Sequence, residues 1–97
     1  MLKLYHDHNA VCCQKVELCL VEKNIDYEGQ IISLFRSEQY SPEYLKINPR
    51  GLVPTLVHDH ATIFESTIIC EYIDETFNGI KLLPVDTVDR ALARVWT

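Results

Sequence analysis

The sequence of 97 residues and 11.2 kDa is long enough for one folded domain, or for one domain and the start of another. Hydrophobic residues make up 47% and charged residues 24%, which excludes intrinsic disorder, since disorder requires low hydrophobicity and high net charge. The 9 basic residues are scattered and face 14 acidic ones, for a net charge of −5, which argues against binding to nucleic acid or to an anionic membrane surface.

The first third of the sequence predicts a strand, a helix and a second strand. Alternation from Leu2 to His6 is typical of a short strand. From Ala10 to Lys23 the apolar residues share one helical face, and Asn24 is expected to end that helix. The stretch 26–34 predicts the second strand. Because strand–helix–strand crossovers are nearly always right-handed and join parallel strands, we expect a parallel pair.

The next part of the sequence predicts a short helix, a hairpin and a longer helix. Ser41 precedes a proline, which is typical of an N-cap and predicts a helix over 42–46. The runs 53–58 and 61–64 are close enough to pair as an antiparallel hairpin. A helix follows from Ser66, and an Asn-Gly pair stops it.

This element order predicts an α/β fold of the thioredoxin-like type, a βαβ-α-ββα arrangement around a mixed four-stranded sheet. We assign residues 1–80 to this domain. Residues 81–97 are expected to be a linker and an unfinished helix, because a helical pattern that begins at Asp86 continues to the last residue. Trp96 would then have nothing after it to pack against, which favours a truncated chain.

No apolar run approaches the roughly 20 residues of a membrane span, and no apolar signal region follows the first residues. We therefore expect a cytoplasmic protein. The four cysteines, Cys12, Cys13, Cys19 and Cys70, form no C-x-x-C pair and are expected to be reduced thiols. Cys19 and Cys70 fall within helical stripes, where cysteine usually packs as a small apolar residue.

Pro54 lies in a run that otherwise resembles a strand. Proline cannot donate to a ladder and is usually the first or an edge residue of a strand, which is one interpretation. The other is a cis bond between Val53 and Pro54 that turns the Val53 N–H and C=O outward. Such an exposed pair can hold an extended peptide as an additional antiparallel strand.

Glu65 and Ser66 lie where the predicted hairpin meets the following helix. On one interpretation Ser66 caps the helix and Glu65 is a solvated neighbour. On the other, the free N–H groups and the positive end of the helix dipole bind a ligand carboxylate, and Glu65 accepts a hydrogen bond from a ligand ammonium. An α-amino acid head group carries both charges, so this pair of residues fits one.

A metal site is not expected. His6 and His8 precede Cys12 and Cys13, and these residue types suit zinc. However, two adjacent cysteines cannot easily both reach one tetrahedral ion, and the usual C-x₂₋₄-C spacing is missing. A second pair of histidines fits the predicted hairpin turn. We predict no metal cofactor.

Cys12 and Cys13 lie at the beginning of the first predicted helix. The helix dipole favours a thiolate at that end and lowers the pKa of a cysteine there. The same helix end would lower the pKa of a thiol on a bound ligand.

Several blocks of the sequence together resemble the N-terminal domain of glutathione S-transferases, and the resemblance spans essentially the whole chain. These blocks are Leu4-Tyr5-His6, Gln14-Lys15-Val16, Glu22-Lys23, Asn48-Pro49-Arg50-Gly51-Leu52-Val53-Pro54 and Glu65-Ser66-Thr67-Ile68-Ile69-Cys70-Glu71-Tyr72. Residues 86–97 resemble the first helix of the family's all-helical C-terminal domain. Within the family, the chain is most similar to bacterial members of the β-etherase group and to zeta-type members.

The resemblance implies a binding site for glutathione as a co-substrate. The implied positions are Gln39, Leu52, Val53, Pro54, Glu65 and Ser66. Val53 would pair through its backbone with the cysteinyl part of glutathione, with Pro54 in a cis bond. Glu65 and Ser66 would hold the γ-glutamyl ammonium and carboxylate. The first two positions lie where other members contact the glycine end, although Leu52 lacks the polar side chain often found there.

The residues expected to activate the thiol depart from the family pattern. Many members place Tyr, Ser or Cys in the turn after the first strand, whereas Ala10 and Val11 occupy two of those places here. Cys12 and Cys13 are the remaining candidates for the catalytic residue. In the favoured mechanism their S–H groups and the helix-end N–H groups stabilise a glutathione thiolate, which attacks an electrophilic carbon. In the other, a low-pKa Cys12 forms a mixed disulfide with glutathione, as in cysteine-type thiol transferases.

The resemblance therefore implies a dimeric transferase with a role in detoxification, whose partners are glutathione and an electrophilic small molecule. A non-catalytic interaction module is an alternative, because the residues at 10 and 11 depart from the catalytic pattern. A third hypothesis is a small glutaredoxin-like redox protein complete at this length. The missing C-x-x-C and the unfinished last helix argue against it.

Overall fold

The computed structural model, which describes residues 1–95, contains four strands and four α-helices. They are β1 (Leu2–His6), α1 (Val11–Glu22), β2 (Glu28–Ile31), α2 (Pro42–Leu45), β3 (Thr55–His58), β4 (Ala61–Phe64), α3 (Ser66–Thr76) and α4 (Thr87–Val95). A short 3₁₀ helix, Glu38–Tyr40, precedes α2. The prediction about Trp96 lies outside the described residues.

The sheet has the strand order β2-β1-β3-β4. β1 runs parallel to β2 and antiparallel to β3, which in turn pairs antiparallel with β4. Leu4, in the middle of β1, lies opposite Gly29 on one side and Leu56 on the other. This half-parallel, half-antiparallel sheet confirms the predicted thioredoxin-like fold.

The two faces of the sheet are covered by different helices. On one face α1 and α3 pack against the sheet, and the buried core there consists of Leu2, Leu4, Val16, Leu20, Leu56, Ile69 and Ile73. On the other face a smaller cluster of Tyr5, Ile32 and Tyr44 is buried. Because side chains alternate between the faces of a strand, Leu4 and Tyr5 belong to opposite layers.

Two predicted strands are shorter in the structure. β2 was expected over 26–34 but pairs only over Glu28–Ile31, at the edge of the sheet, and all four residues are exposed. β3 was expected from Val53 but begins at Thr55, because pairing with β1 ends at the partners Tyr5 and Thr55. Val53 and Pro54 therefore lie just outside the ladder.

The helix ends agree with the sequence at two places and differ at one. Asn24 follows α1 with a φ of 54°, the left-handed conformation in which asparagine commonly ends helices. Ser41 accepts a hydrogen bond from the Tyr44 N–H and caps α2, as predicted. Helix α3 begins at Ser66, as predicted, so the interpretation of Ser66 as its N-cap is wrong: Glu65 occupies the cap position with a φ of 72°.

Helix α4 contacts the rest of the described chain through ion pairs. Arg94 donates to the carboxylate of Glu71 on α3 at 2.7 Å, and Arg90 lies 3.8 Å from Glu75. Its apolar side chains at Val88, Leu92 and Val95 are exposed. Of the helices formed by residues 1–95, none combines the length and the apolar character needed to cross a membrane.

Candidate functional site

Two adjacent grooves meet beside Cys12, Leu52 and Val53, which line both. The first, of about 180 Å³, is lined by Cys12, Asn48, Arg50, Leu52, Val53, Pro54, Phe64, Glu65 and Ser66. The second, of about 330 Å³, is lined by Ala10, Val11, Cys12, Leu34, Gln39, Tyr40, Gly51, Leu52 and Val53. Every position predicted as part of a glutathione site, and one of the two predicted thiol-activating cysteines, lies in these grooves.

Val53 supplies an unpaired stretch of backbone to both grooves. Its peptide bond to Pro54 is cis. Within residues 1–95, neither the N–H nor the C=O of Val53 forms a hydrogen bond. Because an unpaired N–H and C=O resemble the edge of a sheet, they can pair with an extended peptide ligand.

A buried hydrogen-bond network holds the segment that carries Val53. The Leu52 carbonyl accepts from the Tyr44 hydroxyl at 2.5 Å and from Nδ2 of Asn48 at 3.0 Å. Both of these groups also contact Oγ1 of Thr55, at 2.7 and 3.1 Å. The backbone is therefore fixed on both sides of Val53 and Pro54.

Glu65 lies at the other end of the first groove and is paired with an arginine. Oε1 of Glu65 is 2.9 Å from the guanidinium of Arg50, and both side chains are more than half exposed. Oε2 of Glu65 forms no hydrogen bond within residues 1–95. The φ of 72° places Glu65 in a conformation that is strained for a residue with a Cβ, and such strain is concentrated at functional sites.

Ser66 begins helix α3, so its N–H points out of the first turn. The backbone hydrogen bonds of α3 begin with the N–H of Ile69, which donates to the carbonyl of Glu65 at 2.8 Å. The N–H groups of Ser66, Thr67 and Ile68 precede it and have no intrahelical acceptor, which makes this helix end able to bind an anion.

The two adjacent cysteines have different environments. Cys12 is exposed and lines both grooves, whereas Cys13 is fully buried and its Sγ accepts a hydrogen bond from the Asp7 N–H at 3.4 Å. Burial raises the pKa of Cys13 to about 11, although the Asp7 N–H opposes the rise. The expectation of a lowered pKa is therefore wrong for Cys13, which lines neither groove.

Gln39 lies in the second groove with Leu52. The Oε1 atom of Gln39 is buried and has no hydrogen-bond partner among the described residues. The neighbouring Gly51 has a φ of +64°, and a Cβ at this position would lie 3.0 Å from the Tyr40 ring. Only glycine fits this turn without displacing the ring, so Gly51 maintains the shape of the groove.

The other cysteines lie away from the grooves. The Sγ atoms of Cys19 and Cys70 are 3.0 Å apart where α1 meets α3, and both residues are half-buried. This position agrees with the prediction that they are packing residues.

The sequence reasoning missed the residues that support the groove. Tyr44, Thr55 and Arg50 were not identified as parts of the site, although Arg50 lies in the block that carried the family resemblance. Tyr44 is in a separate short helix, and nothing local in the sequence indicates that its hydroxyl reaches the Leu52 carbonyl eight residues later.

Comparison with known proteins connects this geometry to one family. Residues 11–76 match the family model described as "Glutathione S-transferase, N-terminal domain". The chain is 42% identical over 98 residues to Protein LigF of Sphingobium sp. (strain NBRC 103272 / SYK-6) and 41% identical over 91 residues to a probable maleylacetoacetate isomerase of Caenorhabditis elegans. The matches cover 99% and 94% of this chain but only 38% and 42% of those proteins.

Solved structures give the same result. The crystal structure of the β-etherase LigF matches with a TM-score of 0.92 and 41% identity, over 98% of this chain and 40% of that one. A glutathione transferase homologue from Drosophila mojavensis, crystallised with bound glutathione, also matches with a TM-score of 0.92, at 34% identity over 97% of this chain and 43% of that one.

Proposed function

Because this chain belongs to the glutathione S-transferase family, we propose that it binds glutathione in the two grooves and activates the glutathione thiol for attack on an electrophilic carbon. The observation that carries this proposal is the unpaired backbone of Val53, held between Cys12 and the Glu65–Ser66 helix end.

The grooves match the three parts of glutathione by chemistry. The N–H and C=O of Val53 pair with the backbone of the cysteinyl residue, as one strand pairs with another. The γ-glutamyl ammonium donates to Oε2 of Glu65, and the γ-glutamyl carboxylate accepts from Ser66 and the N–H groups of the α3 N-terminus. The glycine end lies toward Gln39 and Leu52 in the second groove.

Replacement of Glu65 by alanine tests this assignment. The variant loses a charged hydrogen bond to the ligand ammonium, so we expect glutathione to bind with about 1–3 kcal/mol less free energy, roughly a 5- to 150-fold larger dissociation constant. Isothermal titration calorimetry with glutathione measures it. Glu75→Ala is the matched control, since Glu75 is an exposed glutamate on the same helix but outside both grooves. Equal affinities of wild type and Glu65→Ala would contradict the proposal.

Thiol activation at Cys12 follows from its position in both grooves. A cysteine S–H is a weak hydrogen-bond donor, so the N–H groups at the start of α1 supply most of the stabilisation of the glutathione thiolate. Cys13 takes no direct part, because it is buried and its pKa is raised.

The exposed thiol of Cys12 also favours a second candidate function, a cysteine-type thiol transferase. The Cys12 thiolate would attack the glutathione sulfur of a mixed disulfide, forming a Cys12–glutathione disulfide and releasing the other thiolate. A second glutathione would then attack that disulfide and leave as oxidised glutathione. The Cys12→Ser variant discriminates between the two candidate functions. It should abolish a thiol transferase reaction, whereas transfer of glutathione to an aryl halide should remain largely intact.

The chain spans about two fifths of the relatives that it matches. We therefore propose that residues outside the matched region select the electrophile, and we retain the homodimer as a proposal. A non-catalytic module would be retained on immobilised glutathione without turning over any aryl halide, and this combination would overturn the enzymatic assignment.

A further inference from the structure

A cluster of polar side chains lies at the end of β1, and none of its members lines the two grooves. Nδ1 of His6 is 2.9 Å from Oε1 of Glu17, and Nδ1 of His8 is 2.7 Å from the same oxygen. One potential ligand atom from each residue lies within 4.8 Å of the other two. Two imidazoles and a carboxylate therefore converge on one point.

The fold holds His6 in this position independently of the cluster. The His6 side chain is only 4% exposed, and its ring is packed edge to face with Tyr27. A Cβ at position 29 would lie 2.8 Å from Nε2 of His6. Glycine weakens a strand, and it often marks a place where another group approaches the backbone closely. Gly29 in β2 thus leaves room for the imidazole.

The turn that carries His8 is also braced. The Asp7 carboxylate accepts hydrogen bonds from the N–H groups of Asn9, at 2.9 Å, and Leu34, at 3.0 Å. The side-chain amide of Gln14 donates to the His8 carbonyl at 2.6 Å. The backbone is therefore fixed, while the His8 ring is 69% exposed and is held by its contacts with Glu17 and His6.

We propose that His6, His8 and Glu17 form a zinc-binding site with three protein ligands and one water. Imidazole nitrogen and carboxylate oxygen are ligands that Zn²⁺ takes, and three protein ligands with a fourth position for water is a known arrangement. Since a carboxylate only accepts hydrogen bonds, both Nδ1 atoms carry a proton in the contacts described above. On metal binding the proton of each neutral imidazole moves to Nε2, and the Nδ1 lone pair binds the ion.

The two nitrogen–oxygen distances need only a small adjustment. Tetrahedral bonds of about 2.0–2.2 Å separate neighbouring ligand atoms by about 3.4 Å, so each nitrogen–oxygen distance must open by roughly half an ångström. Rotation of the exposed His8 ring and of the Glu17 side chain opens these distances while His6 stays in place. The Glu17 carboxylate provides a negative charge for a divalent cation, and Asp7 lies between the two histidines in the sequence.

This proposal departs from the sequence-based prediction of no metal. That prediction paired the two histidines with Cys12 and Cys13, whereas the structure pairs them with Glu17, eleven residues after His6 and on the following helix.

Zinc titration of the purified protein at its natural length, in competition with a chromophoric chelator, tests the proposal. We expect one Zn²⁺ per chain, bound at least about tenfold more weakly by His8→Ala and by Glu17→Gln. His60→Ala is the matched control, because His60 is an exposed histidine in the β3–β4 turn. This variant should bind Zn²⁺ with the same affinity as wild type. Unchanged affinity in both site variants, or an equal loss in the control, would overturn the proposal.

Two measurements on the unmodified protein remove any dependence on how the variants fold. Zn²⁺ should shift the ¹⁵N resonances of His6 and His8 and leave those of His58 and His60 in place. The Co²⁺ form should show tetrahedral ligand-field bands without a sulfur-to-cobalt charge-transfer band. A sulfur band would place the ion on the cysteines, and unshifted His6 and His8 resonances would place it elsewhere; either result overturns the assignment.

Discussion

Cys12 and Cys13 show how strongly one helical step changes the chemistry of a side chain. A step of one residue rotates the side chain by about 100° around the helix axis. At the start of α1 this rotation directs Cys12 toward the grooves and Cys13 into the core, where it is fully buried. From the sequence alone, the helix dipole was expected to lower the pKa of both cysteines. At Cys13 burial outweighs the dipole, and the pKa is raised.

Alkylation kinetics should separate the two thiols. At pH 8 we expect iodoacetamide to modify Cys12 rapidly and Cys13 only after unfolding, since a pKa of about 11 leaves about 0.1% of Cys13 as thiolate and its Sγ is buried. Peptide mass spectrometry of timed samples measures both sites, and Cys12→Ser should remove the fast phase. Comparable modification rates at the two positions in the native protein would be inconsistent with this structure.

The segment that connects α2 to β3 acts as one rigid unit. Tyr44 and Asn48 hold the Leu52 carbonyl, and Thr55 anchors both of their side chains. Burial raises the pKa of Tyr44 despite the hydrogen bonds to Thr55 and Asn48, so this hydroxyl keeps its proton to a higher pH than an ordinary tyrosine does. The position of the unpaired Val53 backbone therefore depends on a residue that never reaches the groove.

Tyr44→Phe should loosen this segment. The variant keeps the buried ring but removes the hydroxyl, so we expect unfolding to require about 1–2 kcal/mol less free energy and glutathione to bind more weakly. Tyr72→Phe is the control: the Tyr72 hydroxyl forms a hydrogen bond to His58 at 2.7 Å, and Tyr72 lines neither groove. It should lower the stability in urea denaturation and leave glutathione affinity unchanged. Equal affinity losses in the two variants would mean that stability alone governs binding.

The order and type of the elements could be predicted from local pattern, because alternation at Leu2–His6 and helical spacing in α3 report directly on burial. The ends of β2 and β3 could not, since they depend on where strands of other parts of the chain stop pairing. The groove residues Val53, Glu65 and Ser66 are contiguous with recognisable blocks. The contacts that support them could not be predicted, since the Arg50–Glu65 contact joins residues fifteen positions apart.

At the scale of the whole molecule, one buried ion pair ties the helical layer to the segment that leads to α4. The Lys23 ammonium, fully buried, is 3.2 Å from Oδ1 of Asp74 and donates to the Ile80 carbonyl at 3.0 Å. The Asp74 carboxylate also accepts from the N–H groups of Leu82, at 2.7 Å, and Leu83, at 3.0 Å. One residue of α3 thus fixes both the end of α1 and the path of the chain after α3.

The charge of Asp74 should make stability depend on pH in a defined direction. Burial alone would raise the pKa of Asp74, but the Leu82 and Leu83 N–H groups and Lys23 outweigh it and hold that pKa below its usual value of 3.8. The carboxylate therefore stabilises the fold above about pH 4, where it is also ionised in the unfolded chain, and this contribution is lost as pH falls through the lowered folded-state pKa.

Asp74→Asn tests this directly, because it removes the charge and leaves the Lys23 ammonium buried without a counterion. At pH 7 we expect the free energy of unfolding in urea to fall by about 3–5 kcal/mol, the usual cost of breaking a buried pair. The difference between wild type and Asp74→Asn should then shrink as pH falls below about 4. Asp26→Asn, at an exposed aspartate, provides the control and should change stability little at either pH. A difference between wild type and Asp74→Asn that stays constant from pH 7 to pH 3 would show that the carboxylate charge is not what joins these elements.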